Sequence, residues 1–194
     1  EQADSWLSNA YADSTVFGFT NSGGLVGENG RAMILNAHSS GKVYMALIGG
    51  GIVGSNSDSS TVMNAYTKSD VFGGLDLFGD INYTSTPSTG GIAGINDDSI
   101  IINTYARGKV LGLGDVGGLV GTDNAGTVTN SYWDIATTGQ TSSAGGGTGY
   151  FTAQMQTEGT YAGWSFLNNS TGVYGDWIMV KEDDYPHLQI ENTM

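Results

Sequence analysis

The sequence predicts an all-β protein, a parallel β-solenoid of about four to five coils, each of roughly 27 residues, with a mixed C-terminal cap. Three observations predict this fold: an excess of glycine, two markers that recur at a fixed spacing, and an apolar pattern of period two. The 194 residues include 32 glycines and only 13% charged residues, and an average soluble domain has about 7% glycine and 25% charge. With 39% hydrophobic residues the chain can still bury a core.

The first marker is a Gly-Gly-apolar-apolar-Gly pentad that occurs four times. Its copies begin at positions 23, 50, 90 and 117, so the first and third intervals are equal and the second is longer. Glycine suits a backbone with positive φ, or a strand that approaches its neighbour too closely for a Cβ atom. The pentad glycines are Gly23, Gly24, Gly27, Gly50, Gly51, Gly54, Gly90, Gly91, Gly94, Gly117, Gly118 and Gly121.

Two further markers keep a fixed phase with the pentads. An Asn-small-aromatic triplet follows each pentad start by half a repeat and also occurs once before the first pentad. Its asparagines are Asn9, Asn36, Asn64, Asn103 and Asn130. Another polar residue lies six positions after each pentad start, at Asn29, Asn56, Asn96 and Asp123. We expect this last set at corners of the coil, because such side chains tolerate left-handed backbone or bond to turns.

The apolar pattern between the markers predicts strands and not helices. In the last repeat Val128 alternates with the threonines on either side of it. The equivalent positions in the repeats are all apolar: Leu7, Ile34, Val62, Ile101 and Val128. Alternation of period two indicates a strand with one buried face. Short strands that recur in this way cannot bury that face alone, so each repeat is expected to stack on the previous one as a solenoid coil, right-handed by default. At about 4.8 Å per coil the body would be about 20–25 Å long.

The longer second interval predicts an insertion, placed at about residues 73–89. Insertions in solenoids map to one face and often carry the binding site. The candidate ligand-binding residues here are Phe72, Asp76, Phe78, Asp80 and Tyr83. The alternative is that the apolar residues only pack the loop onto the flank of the solenoid.

At the level of motifs, the sequence resembles a known family. The pentads GGLVG, GGIVG, GGIAG and GGLVG, followed by NAY, NTY or NSY, resemble the GLUG motif repeats of large bacterial surface and secreted proteins, including adhesin-like and filamentous-haemagglutinin-like chains. The resemblance covers roughly residues 9 to 133 and departs from the pattern at His38 and at the insertion. It implies a β-solenoid, an extracellular location and no catalytic residues.

The composition changes after Trp133, where aromatic residues become frequent and the repeat stops. We therefore assign residues 1–133 to the solenoid and residues 134–194 to a cap that covers the last coil, since open solenoid ends invite aggregation. Thr152 is expected to N-cap a short helix through Met155. Residues 185–188 would form a last strand or extended segment.

One aromatic residue per repeat forms a predicted column along the solenoid: Tyr11, His38, Tyr66, Tyr105 and Tyr132. An inward column would rigidify the coils, whereas an exposed one would suit the apolar faces of sugar rings. The parity with the buried position two places before each asparagine favours the inward alternative, but the sequence leaves both open.

Acidic residues provide the candidate metal site. Asp58 and Asp98 each lie eight residues after a pentad start, so adjacent coils place them side by side, with Asp97 next to them. Such a group is expected to be a solvated turn, a calcium site or, least favoured, a carboxylate pair for glycoside cleavage. His38 and His187 lie far apart in the repeat frame, and the residues offer no other catalytic or metal-binding set.

The net charge of −13 disfavours nucleic acid and anionic membrane surfaces as partners. The absence of cysteine and of any apolar run long enough to span a bilayer is compatible with a secreted chain without direct membrane insertion. We expect a non-enzymatic extracellular adhesion or scaffold module from a larger surface or secreted protein, which contacts a glycan or a protein and needs no cofactor unless calcium binds. The alternatives are a self-associating filament subunit and, less favoured, a polysaccharide-processing enzyme that uses Asp58 and Asp98.

Overall fold

The computed structural model describes residues 5–74, 86–167, 175–179 and 184–193. The solenoid strands form three sheets, and successive coils contribute successive strands to each of them. The long sheet contains β1 (Ser5–Gly18), β4 (Ala32–Met45), β7 (Thr61–Thr67), β8 (Asp70–Gly73), β11 (Ile100–Ala106), β12 (Val110–Leu111), β15 (Thr127–Asp134) and β16 (Gly146–Tyr150). The glycine sheet contains β2 (Asn21–Gly23), β5 (Ile48–Gly50), β9 (Ser88–Gly90) and β13 (Asp115–Gly117). The asparagine sheet contains β3 (Val26–Gly30), β6 (Val53–Ser57), β10 (Ala93–Asp97) and β14 (Val120–Asn124).

All strand pairs in these three sheets are parallel and join equivalent positions of the repeat. Gly50 pairs with Gly23 and Gly90, and Tyr105 pairs with Tyr66 and Tyr132. The predicted β-solenoid is therefore confirmed, with about four turns. Stacking of equivalent residues explains why the markers keep their phase: each one repeats the same local contact in every coil.

The core runs along the inside of the solenoid as columns of apolar side chains. The long sheet contributes Ile34, Val62 and Ile101, and the segments after the paired glycines contribute Ile52, Ile92 and Leu119. All of these are at most 1% exposed. Burial of one such side chain contributes about 1.5–3 kcal/mol, so the columns supply most of the stabilisation of the stack.

The pentad glycines are required by close approach between coils, and none of them has a positive φ. A Cβ atom on Gly91 would lie 2.2 Å from the carbonyl oxygen of Gly118 in the next coil. A Cβ atom on Gly50 would lie 2.5 Å from the carbonyl oxygen of Ile92, also in the next coil. Because these neighbours are backbone atoms, a larger residue would have to push two coils apart.

Left-handed backbone occurs at other markers. The asparagine of each Asn-small-aromatic triplet has a φ between 45° and 54°. This left-handed residue interrupts the alternation of the strand, so that Val62 and Ala65 both point into the core while Tyr66 points out of the solenoid. The asparagine amides also form a ladder across coils, in which Asn103 donates to Asn64 and Asn64 donates to Asn36, both at 3.3 Å.

Left-handed backbone does not occur at Asn29, Asn56, Asn96 and Asp123, but two of these side chains bond to the adjacent corner as expected. Asn29 donates to the Ala32 carbonyl at 3.3 Å, and Asn96 donates to the Ser99 carbonyl at 3.2 Å. All four residues lie within strands of the asparagine sheet and form a largely buried ladder, with Nδ2-to-oxygen distances of 2.8, 2.9 and 2.8 Å from Asn29 to Asp123. The ladder can end in a carboxylate because the last position only accepts a hydrogen bond from the ladder. The left-handed corner falls two residues later in each repeat, at Arg31, Asp58, Asp98 and Ala125.

The region after β15 closes the C-terminal end of the stack. Helix α1 (Ile135–Thr138) is N-capped by Asp134, and β16 then pairs in parallel with β15. Helix α2 (Thr152–Met155) has Phe151 as its N-cap, so Thr152 is its first residue and not the expected cap. Next come a 3-10 turn (Glu158–Thr160), the antiparallel pair β17 (Trp177–Ile178) and β18 (His187–Leu188), and a 3-10 helix (Gln189–Thr193).

Candidate functional site

The predicted aromatic column lies on the outer face of the long sheet. Its rings stack at centroid distances of 5.5 Å between Tyr11 and His38, 4.9 Å between His38 and Tyr66, and 5.0 Å between Tyr66 and Tyr105. The cap covers the C-terminal part of the column, so Tyr66, Tyr105 and Tyr132 are buried although they point outward. The inward alternative is therefore wrong, because the left-handed asparagine reverses the parity on which it depended.

The cap binds the column through a second hydrophobic cluster and through hydrogen bonds. Trp164 and Trp177 stack at 4.1 Å, and both rings lie near that of Tyr105. The Tyr105 hydroxyl donates to the Pro186 carbonyl at 2.8 Å, and the Trp164 indole N–H donates to the Asn130 carbonyl at 2.7 Å. Here the column serves as a docking surface for the cap.

A cluster of titratable groups fastens the end of the cap to the solenoid. The Tyr66 hydroxyl and the Leu188 N–H each donate to Glu191 at 2.9 Å. His187 lies 3.5 Å and His38 3.9 Å from the same carboxylate. The two histidines that lie far apart in the repeat frame therefore meet at one acidic residue, because the cap folds back over the second coil.

This cluster shifts the pKa values of its members. Its hydrogen bond to Glu191 raises the pKa of His187, with help from Asp184 and against burial. Burial would raise the pKa of Glu191, but hydrogen bonds from His187, the Leu188 N–H and Tyr66 hold it below its ordinary value. Burial lowers the pKa of His38, and the positive charge of Lys68 adds to this effect.

Asp134 is the other carboxylate at the cap interface, and it is fully buried. It accepts hydrogen bonds from the N–H groups of Ala136 at 2.8 Å and Thr137 at 3.2 Å. The Thr152 hydroxyl donates to it at 2.7 Å, and the Tyr185 hydroxyl also donates. One carboxylate thus joins α1, α2 and the segment before β18.

The candidate metal residues lie at the corner between the asparagine sheet and the long sheet. Asp58 and Asp98 have φ values of 57° and 44°, so they occupy the left-handed corner of their coils. The Asp58 carboxylate faces Arg31, with 3.9 Å between Oδ2 and Nε. Among the described residues, no three His, Cys, Asp or Glu side chains form a group that could hold a metal ion. The calcium site at Asp58, Asp97 and Asp98 stays a prediction without structural support.

Of the candidate ligand-binding residues, only Phe72 is among the described residues; Asp76, Phe78, Asp80 and Tyr83 lie outside them. Phe72 belongs to a second outward column that was not predicted from the sequence. Its rings stack at 5.1 Å between Phe17 and Tyr44 and at 4.9 Å between Tyr44 and Phe72. The signal was available, since each of these residues follows a member of the first column by six positions.

Stacking limits what either column can offer a ligand. A ring inside a column has both faces covered by its neighbours and presents only an edge to solvent. In the described residues Tyr11 and Phe17 of β1 are 64% and 67% exposed, and Trp6 of the same strand is 72% exposed. All three side chains point outward from the long sheet.

A surface cleft lies beside Trp6, with a volume of about 590 Å³. It is lined by Trp6 of β1, Met33 and Leu35 of β4, and the corner residues Arg31 and Asp58. Met33 and Leu35 form an apolar floor, and the charged pair lies at the rim. Neither Trp6 nor Arg31 belongs to a repeat marker, so no sequence pattern indicates this cleft.

The chain is similar to much longer proteins and spans only a small part of each. It is 39% identical over 127 residues to a protein of Evansella cellulosilytica named as a Gly-rich membrane protein, and the match covers 59% of this chain and 14% of that protein. It is 35% identical over an alignment of 205 positions to halomucin of Haloquadratum walsbyi, which covers 92% of this chain and 2% of halomucin. No family model and no solved structure matches the chain. No helix in the described residues has the length and apolar character needed to cross a bilayer.

Proposed function

We propose that this chain is a non-enzymatic module of an extracellular surface or secreted protein, in which a rigid solenoid presents aromatic side chains to a glycan or a protein. The observation that supports this function is the outward orientation of aromatic side chains on the long sheet, among them Trp6, Tyr11 and Phe17 of β1. Exposed aromatic groups that cluster on one face mark interaction surfaces. A folded solenoid needs none of these three rings for its core.

Four carboxylates that could serve an enzyme have structural positions in the fold. Glu191 and Asp134 bind the cap to the solenoid, and Asp58 and Asp98 form left-handed corners. This distribution supports a contact module over a polysaccharide-processing enzyme. The names of the two relatives, a Gly-rich membrane protein and a halomucin, support a surface location, and the repeat supports membership of the GLUG motif family.

Binding of the purified chain to an array of glycans and surface proteins tests this function, with calcium and again with a chelator. We expect binding that a triple variant, Trp6→Ser with Tyr11→Ser and Phe17→Ser, loses. Phe151→Ser is the matched control, because Phe151 is 62% exposed but lies on the cap. Absence of binding by the unmodified chain would refute the proposal.

A further inference from the structure

We propose that the cleft beside Trp6 binds a neutral carbohydrate. This inference rests on the proposed contact function and names the class of ligand and its site. The cleft volume of about 590 Å³ falls within the range of about 300–1,000 Å³ that is typical of small-molecule sites. Such sites are mostly apolar and contain a few convergent polar groups, and this cleft has both.

Trp6 supplies an aromatic wall. Its neighbour Leu7 pairs in register with the core residue Ile34, so Trp6, which pairs with Met33, points to the opposite, outer face. The indole is the most exposed large hydrophobic side chain in the described residues. A sugar ring has a face of C–H groups that packs against an aromatic face, and an uncovered indole beside the floor of Met33 and Leu35 can receive it.

Arg31 and Asp58 supply hydrogen bonds at the rim. Their side chains are 65% and 62% exposed and lie 3.9 Å apart, too far for a tight ion pair, so most of their hydrogen-bonding capacity is unused. Arginine presents several donors in a planar fork, and a carboxylate presents only acceptors. Adjacent hydroxyls of a sugar can donate to Asp58 and accept from Arg31 at the same time.

The electrostatics select a neutral sugar over other ligands. The two rim charges cancel, so the cleft itself does not prefer an ion. The chain as a whole carries a net charge of −13, which repels uronate polymers and other polyanions. A purely apolar segment would leave Arg31 and Asp58 desolvated without partners, which is costly.

The cleft is specific to one corner of the solenoid. The equivalent corner positions in the later coils are Asp98 and Ala125, so no later coil repeats the charged pair. Asp98→Asn is therefore a matched control for Asp58→Asn, because it makes the same change at an equivalent corner. Phe151→Ala is a matched control for Trp6→Ala, since both remove an exposed ring and Phe151 lies on the cap.

A test of Arg31 needs a substitution that preserves the left-handed backbone conformation at this position. Arg31 has a φ of 53°, and asparagine tolerates such left-handed backbone far better than alanine. Arg31→Asn therefore removes the guanidinium without straining the corner. Asp58→Asn satisfies the same condition, because Asp58 also lies at a left-handed corner.

Tryptophan fluorescence tests the proposal directly. Trp133, Trp164 and Trp177 are buried, so emission that acrylamide can quench reports on Trp6. The probes are neutral tetrasaccharides of glucose, galactose, mannose and N-acetylglucosamine, with a galacturonate tetrasaccharide for comparison. We expect at least one neutral sugar to shield Trp6 in a saturable manner, with affinity at least tenfold lower in Asp58→Asn and Arg31→Asn and unchanged in Asp98→Asn and Phe151→Ala. Trp6→Ala, which lacks the reporter, should lose binding of the same sugar by calorimetry.

Each other outcome overturns the proposal. Shielding by galacturonate alone would assign the cleft to anionic ligands, and shielding that rises with protein concentration without sugar would assign it to a second copy of the chain. The unmodified chain could bind on the array although no sugar shields Trp6, or although all variants bind the sugar with equal affinity. Either result would refute this site and leave the proposed contact function intact. Circular dichroism of every variant verifies that the solenoid is folded.

Discussion

The two ends of the first aromatic column have the same repeat position but opposite environments. Tyr66 and Tyr105 are completely buried under the cap, whereas Tyr11 in the first coil is mostly exposed. All three point outward from the long sheet and stack on an equivalent ring. The repeat therefore determines orientation and stacking, and the cap determines which rings are available to other molecules.

The difference between the two ends reflects two sources of stability. Contacts between coils recur in every repeat and depend on close backbone approach and inward apolar columns. Contacts between the cap and the solenoid occur once and depend on a few buried polar groups among aromatic rings. A variant that releases the cap should make the covered end of the column resemble the open end, without disturbing the stack.

The largest expected effect follows from substitution of Asp134. In Asp134→Ala four donors lose a buried acceptor, and we expect a loss of at least about 3 kcal/mol in the free energy of unfolding of the cap. Urea denaturation followed by tryptophan emission measures the loss, and hydrogen exchange locates it in residues 184–193. Strands β4 and β7 should keep their protection.

Asp13→Ala is the matched control, because Asp13 is an exposed aspartate of β1 without left-handed backbone. Its effect should stay within about 0.5 kcal/mol. Equal destabilisation by the two substitutions would show that Asp134 does not fasten the cap.

Substitution of a pentad glycine should destabilise the stack of coils. In Gly91→Ala the new Cβ atom would lie 2.2 Å from the Gly118 carbonyl oxygen, so we expect a loss of about 1–3 kcal/mol that affects coils and cap together. Gly159→Ala is the control, since no atom lies within 4 Å of its added Cβ. Thermal melts by far-ultraviolet circular dichroism measure both. An unchanged melt for Gly91→Ala would contradict the close-approach explanation of the pentad.

The sequence was sufficient to predict the solenoid because each marker makes the same contact in every coil. It was insufficient for the direction of the tyrosine column, because one left-handed residue, such as Asn64, reverses the parity on which that prediction depended. The meeting of His38 and His187 at Glu191 depends on the path of the cap, which follows no repeat. The cleft beside Trp6 arises from residues outside the markers, so periodicity gives no signal for it.

The orientation of the column can be tested at Asn64, with a smaller effect. Alanine at this left-handed position should cost about 1–2 kcal/mol. Glycine keeps the backbone and loses only the amide ladder to Asn36 and Asn103, so Asn64→Gly should cost less than about 1 kcal/mol. Urea denaturation gives both values, and equal costs would mean that left-handed backbone does not position Tyr66.

The smallest effect concerns pH and the attachment of the cap. The pKa of His187 is raised in the folded protein, so its contribution is fully present below pH 6.5 and is lost as the pH rises through the raised value. His187→Gln should remove this decline in melting temperature above pH 6.5. Because the histidine is partly solvated, we expect a difference below about 1 kcal/mol.

Titration of His38 should change the stability with pH in the opposite direction from titration of His187. Burial lowers its pKa in the folded protein, so the unfolded chain takes up the proton more readily and stability falls as the pH drops below 6.5. His38→Tyr inserts the residue that the other coils carry, and it should remove that acid-side loss while the ring still stacks between Tyr11 and Tyr66. Glu191 contributes a separate loss below pH 4.5, since its pKa is lowered in the folded protein, and this loss should weaken in His187→Gln because His187 helps to hold that pKa down. Melting curves are measured between pH 3 and 9. If His38→Tyr and His187→Gln altered the same side of the pH profile, burial of His38 would not outweigh its attraction to Glu191.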